Sequence, residues 1–255
     1  MSKDNTNFFK AKNDWSKIKD KLLGCYLTPY FQKVLVTGKP ICYIDCFAGK
    51  GKFEDGNAGS PLIALQIRED CLGRTTRSNK RGAIQTWFID MNHAAELTKN
   101  INSVSPSYDR PNIISGKYEE NIESCLQNKR GYNVFLYIDP YGIKALDSTL
   151  FDKFKTYGFH TFEMLINFNS FGFFRDACRV MAVDYHNDAA LQNLDDLVEY
   201  EPTAVSADDQ SARLLTNIAG GDYWKEIVAD YNNGLIDGYQ AEQRLSFEYK
   251  QRLKQ

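Results

Sequence analysis

Ile41-Cys42-Tyr43-Ile44-Asp45-Cys46-Phe47-Ala48-Gly49-Lys50-Gly51 decides how the rest of this chain is read. A short apolar run closing on an acid and two glycines spaced by one residue reads as a buried strand leading into a tight turn. Glycine there lets a ligand come close to the main chain, which a side chain would block. Two nucleotide motifs are excluded by the spacing. A phosphate-binding loop would need glycine where Cys46 stands and a hydroxyl residue where Phe53 stands. A dinucleotide fingerprint would need a third glycine where Glu54 stands.

Outward from this strand the pattern alternates. Ser60-Pro61 reads as an N-cap with proline at the first helical position, opening a helix to about Cys71. Strands follow at 84–90, 112–115, 133–139 and 162–168, with helices at 93–104, 118–127 and 147–155 between them. Apolar strands bounded by helices predict a parallel sheet covered on both faces, with ligands bound outside the carboxyl ends of the strands. Upstream, residues 14–36 have apolar groups at helical spacing and Pro29 as a break, which predicts an N-terminal helical cover over 1–40. Beyond 170 the strand signal fades into three helix-like segments. The expected organisation is one domain: the cover, a Rossmann-like core over 41–170 and a helical extension over 171–255.

Composition is that of an ordinary globular protein. Its 255 residues are 43% apolar, and the longest apolar run, Val134 to Ile138, is far too short for a membrane span. Six cysteines are scattered without a C-x-x-C pair, and no apolar stretch follows Met1 as in a signal peptide. They are expected as reduced, buried thiols in a cytoplasmic protein, with no metal site. The net charge of −2 offers no bulk attraction to a polyanion. The charge is nevertheless uneven: residues 1–40 hold eight lysines against three aspartates, and 181–211 hold eight carboxylates and no Lys or Arg. Arg74, Arg77, Lys80 and Arg81 form a polar stretch that could hold phosphates or be a solvated loop.

Three strand ends carry chemistry. Asp90 could accept the hydroxyls of a ribose or cap the helix after it. Asp139-Pro140-Tyr141 offers an acceptor, a stiff turn and a flat ring, suited to a planar amino-bearing ring; an ordinary strand-to-helix turn is the plainer alternative. Phe168, Phe171 and their neighbours, with Arg175, could stack on bases, although such clusters more often pack a loop onto the core.

Together, DCFAGKGKFEDGNAGSPLIAL, IDPYG and LINF resemble the three-Cys-motif partner family, Rossmann-like S-adenosylmethionine-dependent methyltransferases, over about residues 10–180. The resemblance implies a sheet ordered 3-2-1-4-5, with the sixth and seventh strands of related folds missing here. It implies S-adenosylmethionine as cofactor, held by Asp45, Phe47, Ala48, Gly49 and Gly51 around its methionine part, Asp90 at the ribose, and Met91 and Gly116 near adenine. Lys117 stands where many relatives carry an acid. Asp139, Pro140 and Tyr141 resemble the catalytic motif of enzymes that methylate exocyclic amino groups of bases, with Tyr141 one place early. Phe168, Phe171 and Arg175 are the substrate-side candidates. The implied substrate is nucleic acid, foremost adenine N6, and the implied partner is a cysteine-motif protein. The rival expectation is a non-catalytic methyltransferase-like subunit or cofactor sensor.

Overall fold

The structure, a computed structural model, describes residues 9–12, 14–192 and 205–254, so Lys3, Asp4 and half of the acidic 181–211 stretch lie outside the described residues. The chain divides into two compact units: 1–139 with 157–166, and 140–156 with 167–255.

The first unit is built on five parallel strands, β1 (Ile41–Asp45), β2 (Ile84–Asp90), β3 (Asn112–Ser115), β4 (Asn133–Ile138) and β5 (Thr161–Ile166), in the order β3-β2-β1-β4-β5. This is the Rossmann-like α/β arrangement and the order expected. Every residue of β1 and β4 is buried, which explains why both read as unbroken apolar runs without alternation. The edge strand β5 is half-buried along its length. Strand order reverses between β1 and β4, so the crevice that such sheets offer to ligands opens at their carboxyl ends.

Helices α1 (Asp14–Leu35) and α2 (Ser60–Arg74) pack together on one face. Leu23, Leu27, Tyr30 and Phe31 of α1 form one core with Ala64, Leu65 and Leu72 of α2 and with Tyr43 and Phe135 of the central strands. Tyr30 lies 4.9 Å from Phe135, centroid to centroid. Pro29 is accommodated inside α1. Helices α3 (Ala94–Val104) and α4 (Tyr118–Leu126) complete this unit.

The start of α2 corrects the sequence expectation. Its N-cap is Gly59, and the Ser60 hydroxyl bonds Asp45 instead of capping the helix. A buried carboxylate is the stronger acceptor, and the helix entry is already set by Pro61.

The second unit is helical. It holds a 3-10 turn (Ile143–Ala145), α5 (Ser148–Lys155), α6 (Ser170–Val180), α7 (Ala189–Gln192), α8 (Asp209–Ala219), α9 (Tyr223–Asn232) and α10 (Gly238–Lys254). Asp147, Asn169 and Asp208 cap α5, α6 and α8 by accepting backbone N–H bonds of 2.9, 2.8 and 2.7 Å. The phenylalanine-rich stretch after β5 is therefore the start of α6, not a loop; the Asn169 cap is the signal that its aromatic content obscured. Arg252 of α10 ties to Asp152 of α5 and donates to the Gly220 carbonyl at the end of α8.

Candidate functional site at the carboxyl ends of the strands

Gly49 and Gly51 both have positive φ, +60° and +75°, so the turn after β1 depends on glycine at two places. Its main chain is pinned from each neighbouring strand. Cys46 N–H donates to the Tyr137 carbonyl of β4 (2.9 Å), and Ala48 N–H donates to the Ile89 carbonyl of β2 (3.0 Å). A β-carbon on Gly51 would stand 2.7 Å from Leu97 of α3, so helix and turn meet in van der Waals contact.

Asp90, at the end of β2, accepts three backbone N–H bonds. Gly49 donates to Oδ2 at 2.8 Å, and Asn92 and His93 donate to Oδ1 at 2.9 and 2.6 Å. Asp90 is not the N-cap itself, which is His93; its carboxylate holds the turn before α3 and clasps the glycine turn. One lone pair of Oδ2 is left for a ligand hydroxyl. The Gly116 N–H, with φ +146°, donates to the Asp90 carbonyl and brings the end of β3 alongside. Met91 is exposed, and Phe47 leans on Tyr118 of α4 at 5.5 Å. Lys117 faces Glu120 at 3.5 Å on an open surface.

Asp45 is fully buried, accepting from Ser60 Oγ at 2.7 Å and Phe47 N–H at 3.2 Å. Burial pushes its carboxyl up to about 7; the two hydrogen bonds pull the other way, and the Asp139 and Asp20 carboxylates add to the rise. Burial likewise raises Asp20, against the pull of its Lys12 partner. Asp139 is partly covered and ion-paired with Lys19 of α1 (2.9 Å), and it accepts from Tyr137 Oη at 3.4 Å. Three carboxyls thus gather within electrostatic reach where β1 and β4 end, two of them paired with Lys12 and Lys19.

Sequence reasoning missed Phe9. This buried ring lies against Gly49, meets His93 edge-on at 4.9 Å and carries the Lys50 ammonium 4.7 Å from its centroid. Its carbonyl accepts from Glu54 N–H at 2.8 Å. The Phe8-Phe9 pair upstream of a helix carries no local signal for such a role.

The remaining candidates belong to the second unit. Pro140 and Tyr141 are half-buried beside the 3-10 turn. Phe168 stacks on Tyr249 at 4.4 Å, Phe171 meets Tyr239 edge-on at 6.0 Å, and Arg175 is buried on the inner face of α6. Phe168 and Phe171 are half-buried. Of the cysteines, five are buried as expected and Cys25 is exposed. Among the described residues there is no group of three potential metal ligands and no helix long and apolar enough to cross a membrane. Compared with family models, with curated proteins and with solved structures, the chain matches none.

Proposed function

We propose that this chain is an S-adenosylmethionine-dependent methyltransferase acting on an exocyclic amino group of nucleic acid, with adenine N6 as the first choice. The observation that carries the reading is the crevice at the switch point: a doubly positive-φ glycine turn clasped by Asp90, next to buried Asp45 with its raised proton affinity. The resemblance in DCFAGKG and IDPYG supports the same assignment.

Fit to the cofactor rests on the donor set. Asp90 supplies one acceptor position, Asp139 supplies a carboxylate held by Lys19, and the contacts of Gly49, Gly51 and Ala48 with the cofactor come from the resemblance. When bound, S-adenosylmethionine supplies an electrophilic methyl group. Asp139 accepts a hydrogen bond from the target amino group, which fixes its direction and raises electron density on nitrogen. Pro140 and Tyr141 follow in the chain, and their parts in holding and stacking the base come from the resemblance. The base reaches such a pocket only single-stranded or flipped. A cysteine-motif partner likewise follows from the resemblance alone.

The test is calorimetric titration with S-adenosylhomocysteine, repeated on Asp90→Ala and Gly49→Val, then transfer of labelled methyl to oligonucleotides with and without Asp139→Ala. Wild-type binding that both pocket variants lose, with transfer lost in Asp139→Ala, is the expected result. The second reading, a non-catalytic subunit or sensor, is favoured by Phe9 lying over the glycine turn and by Lys19 engaging Asp139. Binding without transfer to any nucleic acid would select it.

A further inference from the structure

At the opposite end of the sheet from Asp139, the C-terminal ends of α1 and α2 enclose a cleft of about 570 Å³, lined by Gln32, Leu35, Val36, Arg74, Thr76 and Arg77 among others. Arg77 reaches across it, donating to the Gly38 carbonyl at 3.0 Å, and a second guanidinium nitrogen of Arg77 is buried without a hydrogen-bond partner. Arg74 and Arg77 line the cleft, Lys33 and Lys39 adjoin its lining residues Gln32 and Gly38 in the chain, and Lys80 and Arg81 follow Arg77 by three and four residues; none of the six takes part in an ion pair among the described residues. Two helix C-termini attract positive charge, but their combined field corresponds to about one unit of negative charge. Six cations exceed that several-fold, and in a chain of net charge −2 such a local excess points to a polyanion.

A second feature is continuous with the cleft. Along the outer face of α1, in steps of three and four residues, Trp15 (41% exposed), Ile18 (57%), Leu22 (58%) and Tyr26 (44%) stand in solvent, and the same arc continues through Lys33 to Val36 at the cleft. Lys21, also exposed and outside any ion pair among the described residues, borders the row. Tyr26 is fixed by its hydroxyl, which donates to Glu163 at 2.6 Å. Exposed rings beside unpaired lysines match the way single strands are held, by stacking on flat faces and by neutralised phosphates.

The ends of α1 give this face a direction. Its C-terminus lies at the cleft, and Lys19 near its N-terminus bonds Asp139. The 22 residues of α1 cover about 33 Å, room for roughly nine or ten stacked nucleotides. We infer that the outer face of α1 and the arginine cleft form the track for a single-stranded nucleic acid, which enters with its phosphates on Arg74 and Arg77 and runs along Tyr26 and Trp15 towards Asp139. The direction towards Asp139 rests on the proposed reaction; the binding face does not.

The test is fluorescence anisotropy of a labelled single strand of about 16 nucleotides, RNA and DNA in turn, with the whole chain over a series of salt concentrations. Arg74→Glu/Arg77→Glu should weaken binding at least tenfold at low salt and flatten the logarithmic salt slope by about 1.4. Trp15→Ala/Tyr26→Ala should weaken it roughly tenfold and leave the slope unchanged. Both variants should keep the circular dichroism spectrum of the folded wild type, with a modest loss of stability, and bind S-adenosylhomocysteine as the wild type does. No binding by the wild type at low salt, or wild-type affinity in either double variant, overturns the track. Loss of self-association in Trp15→Ala/Tyr26→Ala with oligonucleotide affinity intact would give α1 to a protein contact and overturn it equally. If the wild type binds the oligonucleotide but not S-adenosylhomocysteine, the methyltransferase reading fails and the binding face stands.

Discussion

Lys19 of α1 and Asp139 at the end of β4, 120 residues apart in sequence, form an ion pair of 2.9 Å that joins the helical cover to the strand end proposed to receive the substrate. Both side chains are mostly covered, so neither has water to replace a lost partner fully. Lys19→Met is expected to lower stability by about 1–2 kcal/mol, and Lys19→Met/Asp139→Asn to recover part of that loss. A double-mutant cycle by urea unfolding measures the coupling. A coupling of zero would show that the pair is incidental to the fold.

Asp90 is the acceptor for three backbone N–H groups, so its removal should be felt before any ligand is added. Asp90→Ala should destabilise the chain by about 2–4 kcal/mol, and Asp90→Asn, which keeps one acceptor oxygen, by roughly half as much. Hydrogen exchange at Gly49 and His93 provides the local readout. Unchanged protection of both amides in Asp90→Ala would exclude the clasp.

Gly51 and Gly38 separate packing from backbone strain. Both have positive φ, but a methyl on Gly51 meets Leu97 at 2.7 Å, whereas one on Gly38 meets nothing within 4 Å. Gly38→Ala should cost about 1–2 kcal/mol, the penalty of the left-handed region alone, and Gly51→Ala about 3 kcal/mol or more. Equal costs would mean that α3 yields to the methyl freely.

The raised carboxyl of Asp45 makes stability depend on pH with a definite sign. Folding lifts this group from an ordinary 3.8 to about 7, so its protonated form favours the folded state. The contribution is whole below about pH 4 and is lost as pH rises through about 7. Relative to the wild type, Asp45→Asn should therefore gain stability across that window, by up to about 4 kcal/mol, and level off above it. Urea unfolding of both proteins from about pH 4.5 to 7.5 gives the difference curve. A difference independent of pH would mean that Asp45 titrates like a solvated carboxylate.

The parallel sheet was legible because its signal is local. β1 and β4 are buried on both faces, so their apolar runs carry no alternation to confuse with a helix. Gly49 and Gly51 stood out because a positive-φ turn admits few other residues. Ser60 shows the limit: its neighbours describe a helix start, and only the buried Asp45 carboxylate, fifteen residues away, explains where its hydroxyl goes. Asn169 shows another, since its capping bond to Gly172 lay hidden in a stretch whose aromatic content suggested a loop.

The sequence by itself determined which segments of the first unit are strands and helices, their α/β alternation, and the glycine turn after β1, because propensity, period and steric tolerance act over a few residues. Only the tertiary structure decided that Asp90 clasps Gly49, that Lys19 meets Asp139, that Phe9 covers the glycine turn, and that Arg74 and Arg77 share one cleft with the end of α1. Those relationships join residues tens to more than a hundred positions apart. They depend on burial, which sets the strength of a charge, and on the order of strands, which no local period encodes.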